Sequence, residues 1–310
     1  MKQLNTVALI GLGAIGCSLA PGLLKAVGPE NFRVIAGGTR KTRLENDGMT
    51  INGENYHFNI VDPGEKTTPA DLVIVIVKYG SLPTAIKDIK HQVGDDTIIV
   101  SFMNGIDSEE QIAAEYGWER VIYGITRKSV VMQNGSCNYD PKNGWFILGE
   151  ARNETISPRI EAMMDLFSRA EIPYKVEPDM IHSLWFKFAC NVSENQSSAI
   201  LGIPFGAWQV SEHANQIREM AFREVIAIAN RKGIDLNEEN LLWQRERLLH
   251  IPYANKTSTL QDIENGRTTE VEMFSGMVCR LGAELGIPTP INELFYHSIK
   301  VLEEKNAGRI

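Results

Sequence analysis

In LWFKFACNVSENQ, residues 184–196, a lysine stands between two phenylalanines and asparagines follow it at four-residue intervals. Lys187, Asn191 and Asn195 thus occupy i, i+4 and i+8, one above another on a helix. Ile181, Leu184, Trp185, Phe188 and Val192 recur beside them at the three-and-four spacing of a buried stripe, so the polar row borders the core. A solvated face would ordinarily carry Glu, Lys, Gln and Arg, whereas asparagine is a poor helix former whose amide both donates and accepts. Two readings follow. The row is a polar edge with a snorkelling lysine, or it is a set of donors at a site. In the second case Lys187, partly desolvated between Phe186 and Phe188, would have its pKa lowered toward working pH and could give up a proton readily.

A second constellation lies near the N-terminus. TVALI, residues 6–10, is a short apolar run, and Gly11-Leu12-Gly13-Ala14-Ile15-Gly16 follows in G-x-G-x-x-G register before a helical pattern that continues through Leu24. Strand, glycine turn and helix in this order are what dinucleotide binding requires. Gly11 permits the tight turn, Gly13 lets the backbone approach a pyrophosphate, and Gly16 allows close helix-to-strand packing, with the helix N-terminus facing the phosphates. The plain alternative is a glycine-rich turn. At the end of the second strand, where a cofactor lacking a 2′-phosphate would favour an acidic residue, the chain has Gly37-Gly38-Thr39-Arg40-Lys41 and then Arg43. The Arg40 guanidinium suits the 2′-phosphate of NADP; a solvated basic loop is the alternative. Lys78 and Asn104 end two later strands, the edge at which open α/β sheets bind ligands. Lys78 is read near the cofactor's phosphates and Asn104 near the nicotinamide or substrate, although Asn104-Gly105 also suits a simple turn.

The elements that must position these groups fall into two halves. FRVIAGG (32–38), DLVIVIVK (71–78), TIIVSFMNG (97–105) and RVIYGI (120–125) are β-branched runs separated by helix-length segments, the pattern of a parallel sheet covered on both faces. From about Met180 helical periodicity takes over. Ile217, Met220, Ala221, Val225 and Ile228 make one stripe stopped by Gly233, and Val271, Phe274, Val278, Leu281 and Leu285 make another closed by Gly286 and Pro288. The break falls near Glu177 to Met180, giving domains 1–178 and 179–310.

Composition narrows the function classes. With 310 residues, 43% hydrophobic and 23% charged, the chain can bury two cores. A net charge of -8 leaves no broad basic surface for nucleic acid or anionic membrane. Four scattered cysteines without C-x-x-C and six histidines without metal-ligand spacing imply a reducing cytoplasmic setting and no metal. The apolar start with AIGC at Cys17 could pass for an export signal, but its basic region is one lysine and its glycines have the explanation above. No other segment suggests a membrane span.

Taken in order, GLGAIG, Lys78, the Asn104-Gly105 pair, LWFKFACNVSEN and TSTLQDIENGRTTEVE resemble, over nearly the whole chain, the ketopantoate reductases (2-dehydropantoate 2-reductases). The resemblance implies an α/β fold: an N-terminal Rossmann domain with a mostly parallel sheet, followed by an all-α domain, with a cleft between them. It also implies NADPH as reductant and a small 2-oxo acid as substrate, in a monomer or homodimer. By position Lys187 resembles the family's general acid. Asn104, Asn191, Asn195, Asn255 and Ser258 resemble its substrate contacts, and Glu270 its ligand for the substrate hydroxyl. Reduction of a ketone develops negative charge on the carbonyl oxygen, and a donor such as Lys187 answers that need. Thr269 and Glu272 also have capping-box spacing, which accounts for Glu272.

The chain departs from the family pattern in places. N-G-x-G is replaced by Asn104-Gly105-Ile106-Asp107, the stretch from Arg40 to Gly48 reads as a shortened loop, and NQSSAILGIPFG follows Asn195 where proline often stands. The competing readings are a 3-hydroxyacid dehydrogenase of the wider superfamily and a noncatalytic NADP sensor. The first lacks its glycine-rich lead-in to the lysine here, and the second does not explain why Lys187, Asn191, Asn195, Ser258 and Glu270 are all present.

Overall fold

The computed structural model describes residues 3–133 and 135–310, which form two compact units, one ending at Met180 and the other running from Ile181 to Ile310. Met1 and Lys2, the start of the signal-like run, lie outside the described residues.

In the first unit strands and helices alternate. The order is β1 (Val7–Ile10), α1 (Ala14–Val27), β2 (Phe32–Ile35), α2 (Gly38–Asp47), β3 (Met49–Ile51), β4 (Glu54–Tyr56), β5 (Asn59–Val61), β6 (Leu72–Val75) and α3 (Leu82–Asp88). It continues with β7 (Ile98–Ser101), α4 (Ser108–Tyr116), β8 (Val121–Arg127), β9 (Val131–Gln133), β10 (Ser136–Asn138), β11 (Trp145–Gly149), α5 (Pro158–Arg169) and β12 (Tyr174–Lys175). Eight strands form one sheet in the order β12-β11-β8-β7-β6-β1-β2-β5. Its pairings are parallel except β11 against β8. VALI, LVIV and IIVS are buried at every position, as strands covered on both faces must be. Successive residues serve opposite cores: Leu9, Ile74 and Val100 pack with Phe102, Phe146 and Phe167, while Ala8, Ile10, Val73 and Ile99 pack with Leu82 and Ile112.

Two features depart from the sequence reading. A second sheet, β4-β3-β10-β9, packs within this unit; its strands are three residues each, too short for alternation to register. The stretch read as a shortened loop is the helix α2. It opens at Gly38 with φ +56° and buries only Leu44, so no apolar stripe marks it.

The second unit is built from α6 (Met180–Leu201), α7 (Ala207–Val210), α8 (Glu212–Arg231), α9 (Glu238–Leu248), α10 (Ser258–Glu264), α11 (Ser275–Leu285) and α12 (Pro290–Asn306). The α6 stripe is buried at Leu184, Trp185, Phe188 and Val192. On α8 the stripe needs correction. Ala221, Val225 and Ile228 are buried but Met220 is 40% exposed, and the buried face runs instead through Arg218 and Phe222. Gly233 and Gly286 end their helices with positive φ, as their positions predict. Among the described residues no helix is long and apolar enough to cross a membrane. Nor does any group of three or more His, Cys, Asp or Glu among them suit a metal ion.

Candidate functional site

The glycine turn connects β1 to α1 with the geometry its spacing predicts. Gly11 has φ +104°, and a Cβ there would sit 1.8 Å from the Ile76 carbonyl oxygen. At Gly16 a Cβ would lie 2.2 Å from the Gly11 carbonyl oxygen, while at Gly13 it would meet nothing within 4 Å. Two glycines are therefore required by the fold, and the third leaves open space where a phosphate group would approach the backbone. The amides that open α1 point into that space without competition, since Gly13 offers no capping side chain and the first turn holds no acid. The residues present fit a dinucleotide.

Arg40 stands across this turn. From the first turns of α2 its Nη2 donates to the Leu12 carbonyl at 2.6 Å, which fixes a cation beside Gly11–Gly16 and leaves other guanidinium donors for a ligand. Loss of surrounding water and the neighbouring charge of Arg43 both lower its pKa from the usual arginine range, yet a guanidinium stays charged at any working pH. Lys41 is turned toward Glu45, 3.8 Å away. Lys78 follows β6 and opens a short 3-10 turn, Tyr79–Ser81. Asn104 follows β7 at a bend whose next residue, Gly105, has φ +94°. Since β2, β1, β6 and β7 are neighbours in that order, Arg40, the glycine turn, Lys78 and Asn104 line one carboxyl edge of the sheet.

Beneath Asn104 lies a buried polar chain that sequence reading missed. Ser101 Oγ and Ser108 Oγ are 2.8 Å apart, and Ser108 Oγ donates to Glu109 Oε2 at 2.8 Å. Glu109 is 2% exposed. Burial pushes its pKa up to about 7, against the opposing pull of the Ser108 hydroxyl and backbone amides. Nothing in SEEQIAAEY separates Glu109 from the exposed acids that usually open a helix.

In the helical unit α6 carries the polar row. Lys187 and Asn195 are each 7% exposed and Asn191 is half-buried. Phe186, next to Lys187, packs edge-on against Phe222 of α8 and Trp243 of α9. The Ser258 hydroxyl at the start of α10 donates to Asn195 Oδ1 at 3.4 Å, so the structure brings these two sequence-predicted residues together. Asn255 is exposed in the loop before α10, where its carbonyl accepts from the Phe205 amide at 2.8 Å. Glu270 lies half-buried in the turns preceding α11. The capping-box account of its neighbours is overturned, because α11 begins only at Ser275. Thr269 hydrogen-bonds Glu303 at 2.8 Å, and Glu272 accepts from Tyr296 at 2.9 Å and pairs with Lys300 at 3.3 Å. Contacts to α12 thus occupy both residues that spacing had assigned to a cap.

A buried network holds α6 against α8 and α9. Arg218, fully buried, donates to Gln244 Oε1, to Asn215 at 3.3 Å and to Glu219 at 3.2 Å. Gln244 donates to Glu194 at 2.9 Å, and Arg247 pairs with the same carboxylate. Glu194 immediately precedes Asn195, so the network fixes the rotation of the helix that bears the lysine–asparagine row.

Comparison with known proteins agrees with this fold. Residues 7–153 match the family model described as ketopantoate reductase PanE/ApbA, and 179–303 match its C-terminal counterpart. The 2-dehydropantoate 2-reductase of Pyrococcus horikoshii is 30% identical, over 97% of this chain and 99% of its own. Among solved structures, D-mandelate dehydrogenase with NADH and anilino(oxo)acetate superposes with a TM-score of 0.86 at 20% identity, covering 97% of this chain and 99% of that one. The 2-dehydropantoate 2-reductase of Methylococcus capsulatus gives 0.82 at 23%, covering 97% and 98%. Fold and relatives together define a pyridine-nucleotide-dependent oxidoreductase acting on a CH–OH/carbonyl couple. Within that class the chain belongs to the ketopantoate reductase family.

Proposed function

We propose that this protein reduces a 2-oxo acid to the 2-hydroxy acid with NADPH, the substrate being 2-dehydropantoate and the product pantoate, a precursor in pantothenate and coenzyme A synthesis. The observation that carries the reading is the grouping of Lys187, Asn191 and Asn195 on one helix, with Asn195 joined to Ser258 of another. Bound NADPH supplies the hydride. Gly11–Gly16 and the first amides of α1 hold the phosphates, Arg40 selects the 2′-phosphate, Lys78 stays near the phosphates, and Asn104 orients the reacting end. Lys187 donates a proton to the substrate oxygen as charge develops there. Asn191, Asn195, Asn255 and Ser258 hold the substrate by hydrogen bonds that add no charge, and the Glu270 carboxylate accepts from its 4-hydroxyl.

The test is loss of NADPH absorbance with 2-dehydropantoate, run beside other 2-oxo acids and an aryl 2-oxo acid and repeated with NADH, together with gain of absorbance when a 3-hydroxy acid is offered with NADP+ or NAD+. Highest kcat/KM for 2-dehydropantoate with NADPH is the expected result. Preference for the aryl acid or for NADH would reassign the substrate or cofactor, and absence of turnover with tight NADPH binding would make the chain a sensor.

A further inference from the structure

Asp107 stands where the family pattern N-G-x-G has its second glycine, so its side chain is a feature of this sequence. It occupies the N-cap position of α4, where a carboxylate ordinarily accepts from the first backbone amides, but it makes no such bond. Instead Oδ2 accepts from the Tyr79 phenol at 2.7 Å and from Gln111 Nε2 at 2.9 Å. Tyr79 directly follows Lys78 beyond β6, and Asp107 lies three residues after Asn104 beyond β7. The bond therefore joins two loops 28 residues apart in sequence, with Gln111 bracing the carboxylate from one turn into α4. On its inner side the second loop is tied to Ser101 through Ser108.

We propose that Tyr79, Asp107 and Gln111 form a clamp between these loops, positioning residues that hold Lys78 and Asn104 in the register that receives the nicotinamide half of the dinucleotide. The inference rests on the cofactor reading above. In the sheet order β2-β1-β6-β7, Arg40 beside β2 marks the adenosine side, so the loops after β6 and β7 serve the other half. With glycine at position 107 this bond would be absent and binding would have to order the two loops; the clamp meets that entropic cost in advance.

Tyr79→Phe and Asp107→Gly remove the bond, whereas Asp107→Asn keeps an acceptor oxygen for both donors and should behave as wild type. In the first two variants the Kd and KM for NADPH should rise about tenfold, the upper range for one neutral hydrogen bond and the lower end for one to a charged group, with kcat changed far less. Affinity for 2′,5′-ADP, which lacks the nicotinamide half, should hold. In ligand-free protein, amide exchange should quicken across residues 77–81 and 103–107 in Tyr79→Phe and Asp107→Gly but not in Asp107→Asn. Equal weakening of 2′,5′-ADP, or unchanged exchange and NADPH affinity, would overturn the clamp. Wild type that binds no dinucleotide would instead refute the cofactor reading, and the exchange comparison would still decide whether the two loops are joined.

Discussion

A general acid must be held out of bulk water without losing its proton acceptor, and Lys187, 7% exposed on α6, meets the first condition. Replacing it with alanine should leave NADPH binding nearly intact and lower turnover roughly a hundred- to ten-thousandfold, the range for general acids; unchanged single-turnover rates would remove it from the mechanism. Arg40 is tested by its charge. Arg40→Ala should raise the KM for NADPH by about ten- to a hundredfold, as loss of a charge-assisted hydrogen bond requires, and leave NADH use almost unchanged. If NADH use fell equally, the bond to Leu12 would be the residue's whole contribution, as a brace for the glycine turn. Glu270→Ala should weaken 2-dehydropantoate far more than a 2-oxo acid without the 4-hydroxyl, read as the ratio of the two kcat/KM losses. Lys187 and its asparagines stand out in the sequence because that set at helical spacing is unusual beside an apolar stripe, Arg40 because it follows the second strand, and Glu270 through the family resemblance. Glu109 and Asp107 do not, because a carboxylate near a helix start has an ordinary explanation that sequence alone cannot displace.

Among the elements, α4 carries a titration that should be visible in stability. Native Glu109 keeps its proton up to about pH 7, whereas the unfolded chain releases it near 4.5. Between these values the native state binds more protons, so its contribution is fully present below the unfolded pKa and is lost as pH rises through the native one. The shift corresponds to about 3 kcal/mol. Glu109→Gln should abolish that decline, so the wild-type-minus-mutant difference in urea midpoints should fall between roughly pH 4.5 and 7; parallel profiles would count against a buried protonated Glu109. The α6–α8–α9 network makes a second element-scale case. Arg218→Ala should cost the helical unit about 3 to 5 kcal/mol, because Glu194 and Glu219 would lose a buried countercharge. A loss near that of a surface residue would show the network to be dispensable. Periodicity could not foresee this arginine, since a stripe is recognised by apolar residues and a charge on it reads as an edge. The β4-β3-β10-β9 sheet escaped for the opposite reason: three residues per strand carry too little pattern to be read.

For the molecule as a whole, the sheet order has a consequence in time. β1 is made first but ends between β2 and β6, and roughly 60 residues must be synthesised after it before β6 exists. At ribosomal rates of about 5 to 20 residues per second, VALI spends roughly 3 to 12 s with one hydrogen-bonding edge unmet and with the face of Ala8 and Ile10, opposite α1, still lacking its later neighbours Val73, Val75 and Leu82. The apolar run that could be mistaken for a secretory signal is thus also a strand whose second partner arrives late in synthesis. Nascent chains with only residues up to Ala70 emerged should crosslink through β1 to ribosome-associated chaperones, and chains emerged beyond β8 should not. Equal crosslinking at both lengths would mean that closure of the sheet waits for α5 and β12, which would make the birth of this unit a single late event.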